Sequence, residues 1–421
     1  MPTVQGGQEN QGEPRSVFIW MWIVFFFQGM TPGFWLPALT NIFAALGLSG
    51  WVAIVFVVPP VCALISPLIG GALADQRVAA DRLYVWSSMI SAGLLLAAFA
   101  CLDAGFHPWY FVILLGLYSL FSAPAWGLLT TIALTHLPRG ERQFPLVRLG
   151  ATVGWIVAGG MTSYLLNADV SPKVGYASAA ARLIGGVCAF MLPHTPPLGK
   201  GASWQSRLGL DAFQLMKQRD HCVFFVVTAL FSVPLSAFYM YAPELLKVLG
   251  DQHSTATMTI AQFSEVAAMF LVGRVMLRFR VKTVLLWALG LSALRFGMSA
   301  YAGSSGLISW HIWGIALHGM CYTFYFITAQ VFLDRRVDPG LKGQAQGLLA
   351  LVSGGLGPLV GALVCGWLRN HCVNADGQGW MEFWAILSAM IGVCFAIFLL
   401  CYKGLGRGVD QATVKSTLAQ F

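Results

Sequence analysis

The sequence predicts an all-α integral membrane protein, with twelve transmembrane helices arranged in two six-helix bundles. Of its 421 residues, 57% are hydrophobic and only 10% are charged, and the mean hydropathy is +0.71. A soluble domain usually carries about 25% charged residues, so this composition indicates an exterior that faces lipid. Twelve apolar runs, each near the ~20 residues that cross the hydrocarbon, are divided six and six by one polar segment.

The first six runs follow a polar N-terminal tail, residues 1–16, which lacks the features of a cleaved signal peptide. They form a predicted N-terminal bundle, residues 17–193, with helices near 17–40, 51–73, 83–102, 108–132, 148–168 and 175–193. A predicted cytoplasmic linker, 194–220, leads to a C-terminal bundle, 221–402, and a tail, 403–421. The helices of the second bundle are predicted near 221–244, 257–276, 284–303, 307–333, 346–368 and 381–402.

Lysine and arginine in the loops predict the orientation, because cytoplasmic loops of membrane proteins are enriched in both. With the N-terminus inside, the outer loops hold only Lys173, Lys247 and Arg369. The inner segments hold the majority: Arg15, Arg77, Arg82, Arg139, Arg142, Lys200, Arg207, Lys217, Arg219, Arg278, Arg280, Lys282, Arg335, Arg336, Lys342, Lys403, Arg407 and Lys415. We therefore expect a multi-pass protein of the cytoplasmic (inner) membrane with both termini in the cytoplasm.

Motifs for chemistry or ATP use are missing from the sequence. It has no Walker A loop, no metal-type spacing and no Ser/His/Asp pattern, so we expect neither an enzyme nor an ATP-driven pump, and no metal or cofactor. Eight of the nine cysteines fall in or beside apolar runs and are expected to be packing residues. The net charge of +8 follows membrane topology, so it does not indicate a nucleic-acid partner.

An internal repeat links the two predicted bundles. The loop after the second helix, residues 70–77, and the loop after the eighth, residues 273–280, are both short and basic and follow a glycine. This pairing resembles the signature of the major facilitator superfamily. The resemblance implies that Gly71, Asp75 and Arg77 act in conformational control, with Asp75 bonding neighbouring helix ends; a generic basic loop is the alternative.

The fifth and eleventh helices form a second matched pair. Small residues recur at every fourth position of each, which lets helices approach closely. Such faces occur where the two halves of a transporter slide on each other, but ordinary tight packing explains them equally well. The residues are Gly150, Gly154 and Ala158 in one helix, and Gly357, Gly361 and Cys365 in the other.

Two polar residues near the middle of the predicted eighth helix mark a candidate site. Gln262 and Glu265 are three residues apart and so share one helical face. A carboxylate at the bilayer centre costs roughly 2.5–3.5 kcal/mol on insertion scales, so Glu265 is expected to face a watery interior. Arg295, in the middle of the ninth helix, is also too costly to leave unpaired in lipid. Glu265, which carries the opposite charge, is its candidate partner.

A narrower resemblance covers the chain from the first helix to the eleventh. The sequence is similar to the bacterial nucleoside:proton symporters of the major facilitator superfamily. The matching segments are Gln28, Gly33 and Trp35, then 145–154, 193–196, 208–213, 258–265, 294–301 and 344–347. The resemblance implies proton-driven nucleoside uptake, with Arg148, Thr152, Gln262, Glu265 and Tyr322 at the substrate.

The sequence departs from the family pattern at several positions. Ser236 and Tyr239 replace amide side chains in the seventh helix, and Thr323 replaces an acid in the tenth; all three are kept as candidate substrate contacts. His318, one turn before Tyr322, is a candidate proton relay in place of that acid, or a buried neutral histidine. Gln28 is a candidate cavity residue of the first helix.

Several candidates have a simpler alternative. Arg148 could be a cytoplasmic residue that extends its charge to the membrane surface, Thr152 could bond its own backbone, and Gln262 could make an interhelical hydrogen bond. Arg182, in the sixth helix, is expected to be structural.

Two other functions are also compatible with the sequence. A sugar or oligosaccharide:proton symporter fits the Glu, Arg and His pattern, although Cys321 stands where the lactose-permease arrangement has an acid. The second alternative function is that of a membrane receptor without transport activity. In either transport interpretation the protein binds a small molecule and protons within the lipid bilayer, takes its energy from the proton gradient, and works as a monomer.

Overall fold

A computed structural model describes residues 15–76, 78–137, 140–197, 210–337, 342–374 and 376–404. The side chains of 67–76, and all of residue 77, lie outside the described part. The expectations for Gly71, Asp75 and Arg77 therefore fall on residues that are not described.

The described chain is helical, and it contains twelve helices long and apolar enough to span a membrane. The N-terminal half runs in the order α1 (Arg15–Trp35 and Leu39–Ala45), α2 (Val52–Gln76), α3 (Ala80–Asp103), α4 (Pro108–Ser122 and Ala125–His136), α5 (Gly140–Gly160, ending in a π-helical turn Met161–Leu165) and α6 (Val174–Cys188). Short 3-10 turns, Ser49–Trp51 and Ala189–Met191, begin α2 and follow α6.

The C-terminal half repeats this order. It comprises α7 (Arg219–Leu235 and Ala237–Val248), α8 (Ser254–Met258 and Ile260–Arg278), α9 (Val281–Ser305), α10 (Ile308–Tyr322, a π-helical turn Thr323–Ile327, and Thr328–Arg336), α11 (Lys342–Ala350, a π-helical turn Leu351–Leu356, and Gly357–Cys372) and α12 (Trp380–Cys401). A 3-10 segment at the end of the linker, Leu210–Lys217, packs against α7 and α11.

The predicted count of twelve helices is confirmed, and the largest difference lies at the start of α5. Hydropathy places this start near residue 148, whereas the helix begins at Gly140. Residues 140–143 are polar or small, so an apolar run does not include them although they are helical. Arg148 therefore lies about two turns inside α5.

The small-residue faces of α5 and α11 pack within their own halves. A Cβ atom at Gly154 would lie 2.0 Å from the Phe26 carbonyl oxygen of α1, and one at Gly361 would lie 2.6 Å from the Val233 carbonyl oxygen of α7. The hypothesis that these faces slide between halves is therefore wrong, and tight packing is the explanation. α1 packs against α5 in the N-terminal half as α7 packs against α11 in the C-terminal half, which agrees with the predicted internal repeat.

The two halves meet tightly at the end of the molecule where α1, α5 and α7 finish and α8 begins, which we call the closed end. Six hydrogen bonds cross between the halves in the described residues, and all six lie there. They join Thr40 to Met240, Asn41 to Pro243 and Ser254, Asp169 to Ser254 and Thr255, and Ser163 to Ala256. Among the described residues, the two halves are therefore hydrogen-bonded to each other at this end alone.

Candidate functional site

Close packing of α10 against α8 fixes the position of Glu265. Gly319 has no room for a side chain, because a Cβ atom there would lie 2.1 Å from the Glu265 backbone nitrogen. The Gly319 N–H donates to the Ser264 hydroxyl at 3.1 Å. Glu265 is half-buried as a residue and so is not part of the fully packed core.

A cation from the other half of the protein lies within electrostatic range of Glu265. Arg148 of α5 lies within electrostatic range of Glu265, and Tyr322 of α10 lies within range of both charges. Arg148 and Thr152 are half-buried, and 38% of Tyr322 is exposed. An acid, a basic residue and a partly exposed phenol ring, from α8, α5 and α10, thus lie within electrostatic range of one another.

Above these charges, toward the closed end, an aromatic pair joins the halves. The ring of Trp155 in α5 lies 5.6 Å from that of Tyr239 in α7, between ring centroids. The Tyr239 hydroxyl accepts a long hydrogen bond, 3.5 Å, from the amide of Gln262. The Gln262 carbonyl oxygen and the Trp155 indole N–H are both buried without a partner. One hydrogen-bond donor and one acceptor without protein partners are therefore found at this pair and at the adjacent Gln262.

Four flat groups form a column from the interior of the C-terminal half toward Tyr322. The Arg295 guanidinium lies 4.9 Å from the centre of the Phe238 ring, and Phe238 stacks on His318 at 3.8 Å with an interplanar angle of 8°. His318 in turn stacks on Tyr322 at 6.0 Å. The first three groups are buried, so Tyr322 is the accessible end of the column.

The predicted ion pair between Arg295 and Glu265 is absent. Among the described residues no acid pairs with Arg295; its Nε and Nη2 atoms are buried without a partner. Its guanidinium carbon lies over the Phe238 ring and, at 4.2 Å, over the Phe296 ring. Cation–π contacts of this kind contribute about 0.5–2 kcal/mol each, and a sequence offers no direct sign of them.

Three predicted substrate contacts are placed elsewhere. Gln28 is buried inside the N-terminal half, where its carbonyl oxygen accepts hydrogen bonds from Tyr84 at 2.9 Å and from Arg182. Ser236 donates to the Ser232 carbonyl and lies against Gly361 of α11. Thr323 is fully buried in the π-helical turn of α10, with no partner for its hydroxyl. Polarity kept these side chains out of lipid but did not decide which interior surface they occupy.

Two members of the site were not predicted from the sequence, Trp155 and Phe238. Trp155 lies seven residues after Arg148, which places it two turns further along the same face of α5. This seven-residue spacing from Arg148 is the sequence feature that could have identified Trp155 as a site residue. Phe238 is one of many phenylalanines in apolar runs, and its sequence position does not distinguish it.

The arrangement suits binding and charge movement. The described residues contain no group of three or more His, Cys, Asp or Glu side chains that could hold a metal ion. Gln262, Glu265 and Arg148 supply hydrogen-bond donors and acceptors for hydroxyl groups, while Trp155, Tyr239 and Tyr322 supply ring faces for a flat heterocycle.

Comparison with known proteins agrees with this geometry. The family profile described as "Nucleoside H+ symporter" matches residues 16–406. The chain belongs to the nucleoside H+ symporter family. This confirms the resemblance noted in the sequence, and it makes the protein a member of a family of membrane transporters, not of enzymes.

Individual relatives share most of their length with the chain. It is 33% identical to the putative nucleoside transporter YegT of Escherichia coli over 361 residues, 82% of this chain and 83% of that protein. It is 26% identical to the nucleoside permease NupG of Escherichia coli, over 90% of this chain and 94% of NupG. The crystal structure of an aspartate-to-alanine variant of NupG superposes with a TM-score of 0.84 at 25% identity, covering 92% of this chain and all of that one.

Proposed function

We propose that this protein takes up nucleosides together with protons across the cytoplasmic membrane by alternating access. The observation that carries the proposal is that Arg148 and Glu265, from opposite halves, lie within electrostatic range of each other and of the partly exposed ring of Tyr322. An electrostatic attraction that spans the halves weakens as the two groups move apart, so its strength depends on the conformation of the transporter. Family membership supports the same conclusion.

In this proposal the residues of α5, α7, α8 and α10 near Glu265 have the following roles. Glu265 exchanges the coupled proton and binds ribose hydroxyls; Gln262 and Thr152 hydrogen-bond the nucleoside. Tyr322 stacks on the base, with Tyr239 next to it. His318 and Arg295 lie behind Tyr322, and a part for either in proton transfer stays a prediction. The proton gradient supplies the energy, so no cofactor or nucleic-acid partner is needed, and a single chain suffices.

Orientation follows from the loop charges. With both termini in the cytoplasm, the closed end faces outward and the site opens to the cytoplasm. The structure then corresponds to an inward-facing state, from which a nucleoside leaves after import.

The charge on Glu265 provides the direct test. Purified protein in proteoliposomes is assayed for labelled uridine uptake with and without a pH gradient. In Glu265→Gln, which cannot ionise, we expect accumulation above equilibrium to disappear while uridine exchange continues. Glu382→Gln, the same change at an exposed position of α12, serves as the control and should behave as the parent. Normal accumulation by Glu265→Gln would contradict the proposed role.

Competition in the same vesicles separates the alternatives. Unlabelled adenosine should reduce uridine uptake, whereas xylose and lactose should not. Uptake of a sugar without uptake of uridine would favour the sugar symporter, and absence of any flux would favour a receptor.

A further inference from the structure

A carboxylate of the N-terminal half occupies the start of the helix that carries Gln262 and Glu265. The Asp169 Oδ1 atom accepts hydrogen bonds from the Thr255 backbone N–H at 2.7 Å and from the Ser254 hydroxyl at 3.4 Å. The Ser163 hydroxyl donates to the same oxygen at 3.0 Å and accepts from the Ala256 N–H, also at 3.0 Å. Two successive backbone donors of α8 are thus satisfied by the other half.

The end of α5 is shaped to deliver this carboxylate. The π-helical turn Met161–Leu165 is followed by Asn167, whose φ of 48° lies in the left-handed region that asparagine tolerates. The chain then turns back, with the Ala168 N–H donating to the Thr162 carbonyl at 2.9 Å. Asp169, which is 7% exposed, is left facing the start of α8 and not solvent.

Helix α8 makes no side-chain cap of its own at this end. The first N–H groups of a helix need acceptors, and a negative charge there is favourable because of the helix dipole. His253 precedes the helix and makes no side-chain capping bond. Since Asp169 and Ser163 provide that cap from the opposite half, opening the closed end leaves the Thr255 and Ala256 N–H groups without their acceptors.

We propose that Asp169 is a positioning residue that caps α8 across the two halves and thereby favours the state in which the closed end is shut. Glu265 lies ten residues along α8 from Thr255, about 15 Å by the helical rise. The cap therefore acts on the helix that presents Gln262 and Glu265, without touching the substrate. Its consequence for transport rests on the proposed function, whereas its consequence for the closed end does not.

Hydrogen–deuterium exchange of the full-length protein in nanodiscs tests the cap directly. A hydrogen bond to a charged group contributes enough that its loss shifts a two-state equilibrium roughly tenfold. In Asp169→Ala we expect amide exchange over residues 254–258 to rise by about that factor. Asp169→Asn keeps an acceptor oxygen and loses the charge, so it should give a smaller rise and remains informative if the alanine variant folds poorly.

Asp103→Ala is the matched control. Asp103 lies at the same end and accepts a hydrogen bond from Tyr176 at 2.9 Å, but both residues belong to the N-terminal half. Its removal should leave exchange over residues 254–258 unchanged. Unaltered exchange there in both Asp169 variants, or an equal rise in Asp103→Ala, would overturn the proposal.

Uridine transport provides a second readout that a merely structural role would not give. With more molecules open at the closed end, the KM for uridine supplied on that side should fall by up to roughly tenfold in Asp169→Ala. The KM from the other side should rise. If exchange over 254–258 rises but no variant or parent transports uridine, the cap stands and the proposed function fails; a fall in Vmax with both KM values unchanged argues against the cap.

Discussion

Each half of the protein buries one arginine that has no acid partner among the described residues, and the two halves stabilise it differently. Arg182, in α6, donates from Nε to the Ser91 hydroxyl at 2.9 Å and from Nη1 to Gln28, while its Nη2 atom is buried without a partner and the Tyr84 ring lies 5.8 Å away. Arg295, in α9, has two aromatic rings within 5 Å of its guanidinium carbon, at 4.9 Å and 4.2 Å, and no partner for Nε or Nη2.

The difference shows two ways to hold a guanidinium away from water. The neutral acceptors Ser91 and Gln28 bond Arg182 and thereby connect α6 to α3 and α1, so Arg182 stabilises the packing of the N-terminal half. Aromatic rings hold Arg295 in place while its Nε and Nη2 donors stay unused, and the group lies at the base of the column that ends at Tyr322. Substitutions that remove an acceptor should therefore be costly in the first case, and removal of the charge should be tolerated in the second.

The largest effect is expected for Gln28→Leu. This change removes the acceptor of both Arg182 and Tyr84 and leaves a buried charge less well compensated. We expect a loss of about 3 kcal/mol in the free energy of unfolding. Thermal unfolding can be followed with a thiol-reactive dye, because Cys62, Cys321, Cys365 and Cys394 are buried and react only after unfolding.

The control for this prediction is the double variant Gln28→Leu with Arg182→Met. Taking away the charge as well should restore most of the lost stability, because nothing charged is then left unpaired. If the double variant is no more stable than Gln28→Leu, the Arg182 bond is not the cause.

A smaller loss is expected for Tyr84→Phe. Gln28 then keeps its hydrogen bond from Arg182 and loses only the one from the tyrosine hydroxyl. The same dye assay should report a loss of about 1 kcal/mol. A loss as large as that of Gln28→Leu would mean that the hydroxyl, and not the charge, dominates this cluster.

The smallest change in stability is expected for Arg295→Met. No described acceptor is left unpaired, and a buried charge is replaced by an apolar side chain of similar length, so unfolding should shift by less than about 1 kcal/mol in either direction. Strong destabilisation would show that the in-plane donors of Arg295 do have acceptors. Uridine uptake by the stable variant then reports what the charge contributes to transport.

The same contrast explains what could be predicted from the sequence. Hydropathy and length fix twelve helices, and polarity in an apolar run places Gln262 and Glu265 in the interior, because lipid offers no alternative. Helix ends that are polar, as at residues 140–143, carry no hydropathy signal, so the start of α5 was misplaced.

Partners are harder to predict than positions. Opposite charge suggested that Arg295 pairs with Glu265, but charge alone says nothing about distance, and the aromatic faces that cover Arg295 resemble every other phenylalanine in the sequence. Asp169 shows the same limit, since an acid after a predicted helix has a simple explanation as a loop residue. Its partners in α8, the Ser254 hydroxyl and the Thr255 N–H, lie 85 and 86 residues away in the sequence.

The backbone contact between α1 and α5 has an evolutionary consequence. Gly29 and Gly154 leave no gap between these helices, so the segment bearing Arg148 and Thr152 is braced along its length by a neighbour. Side chains on the opposite face of α5 can therefore be substituted without changing the packing of α5 against α1. Descendants of such a protein can acquire new cargo by replacing a few exposed groups, provided that the glycines behind them are retained.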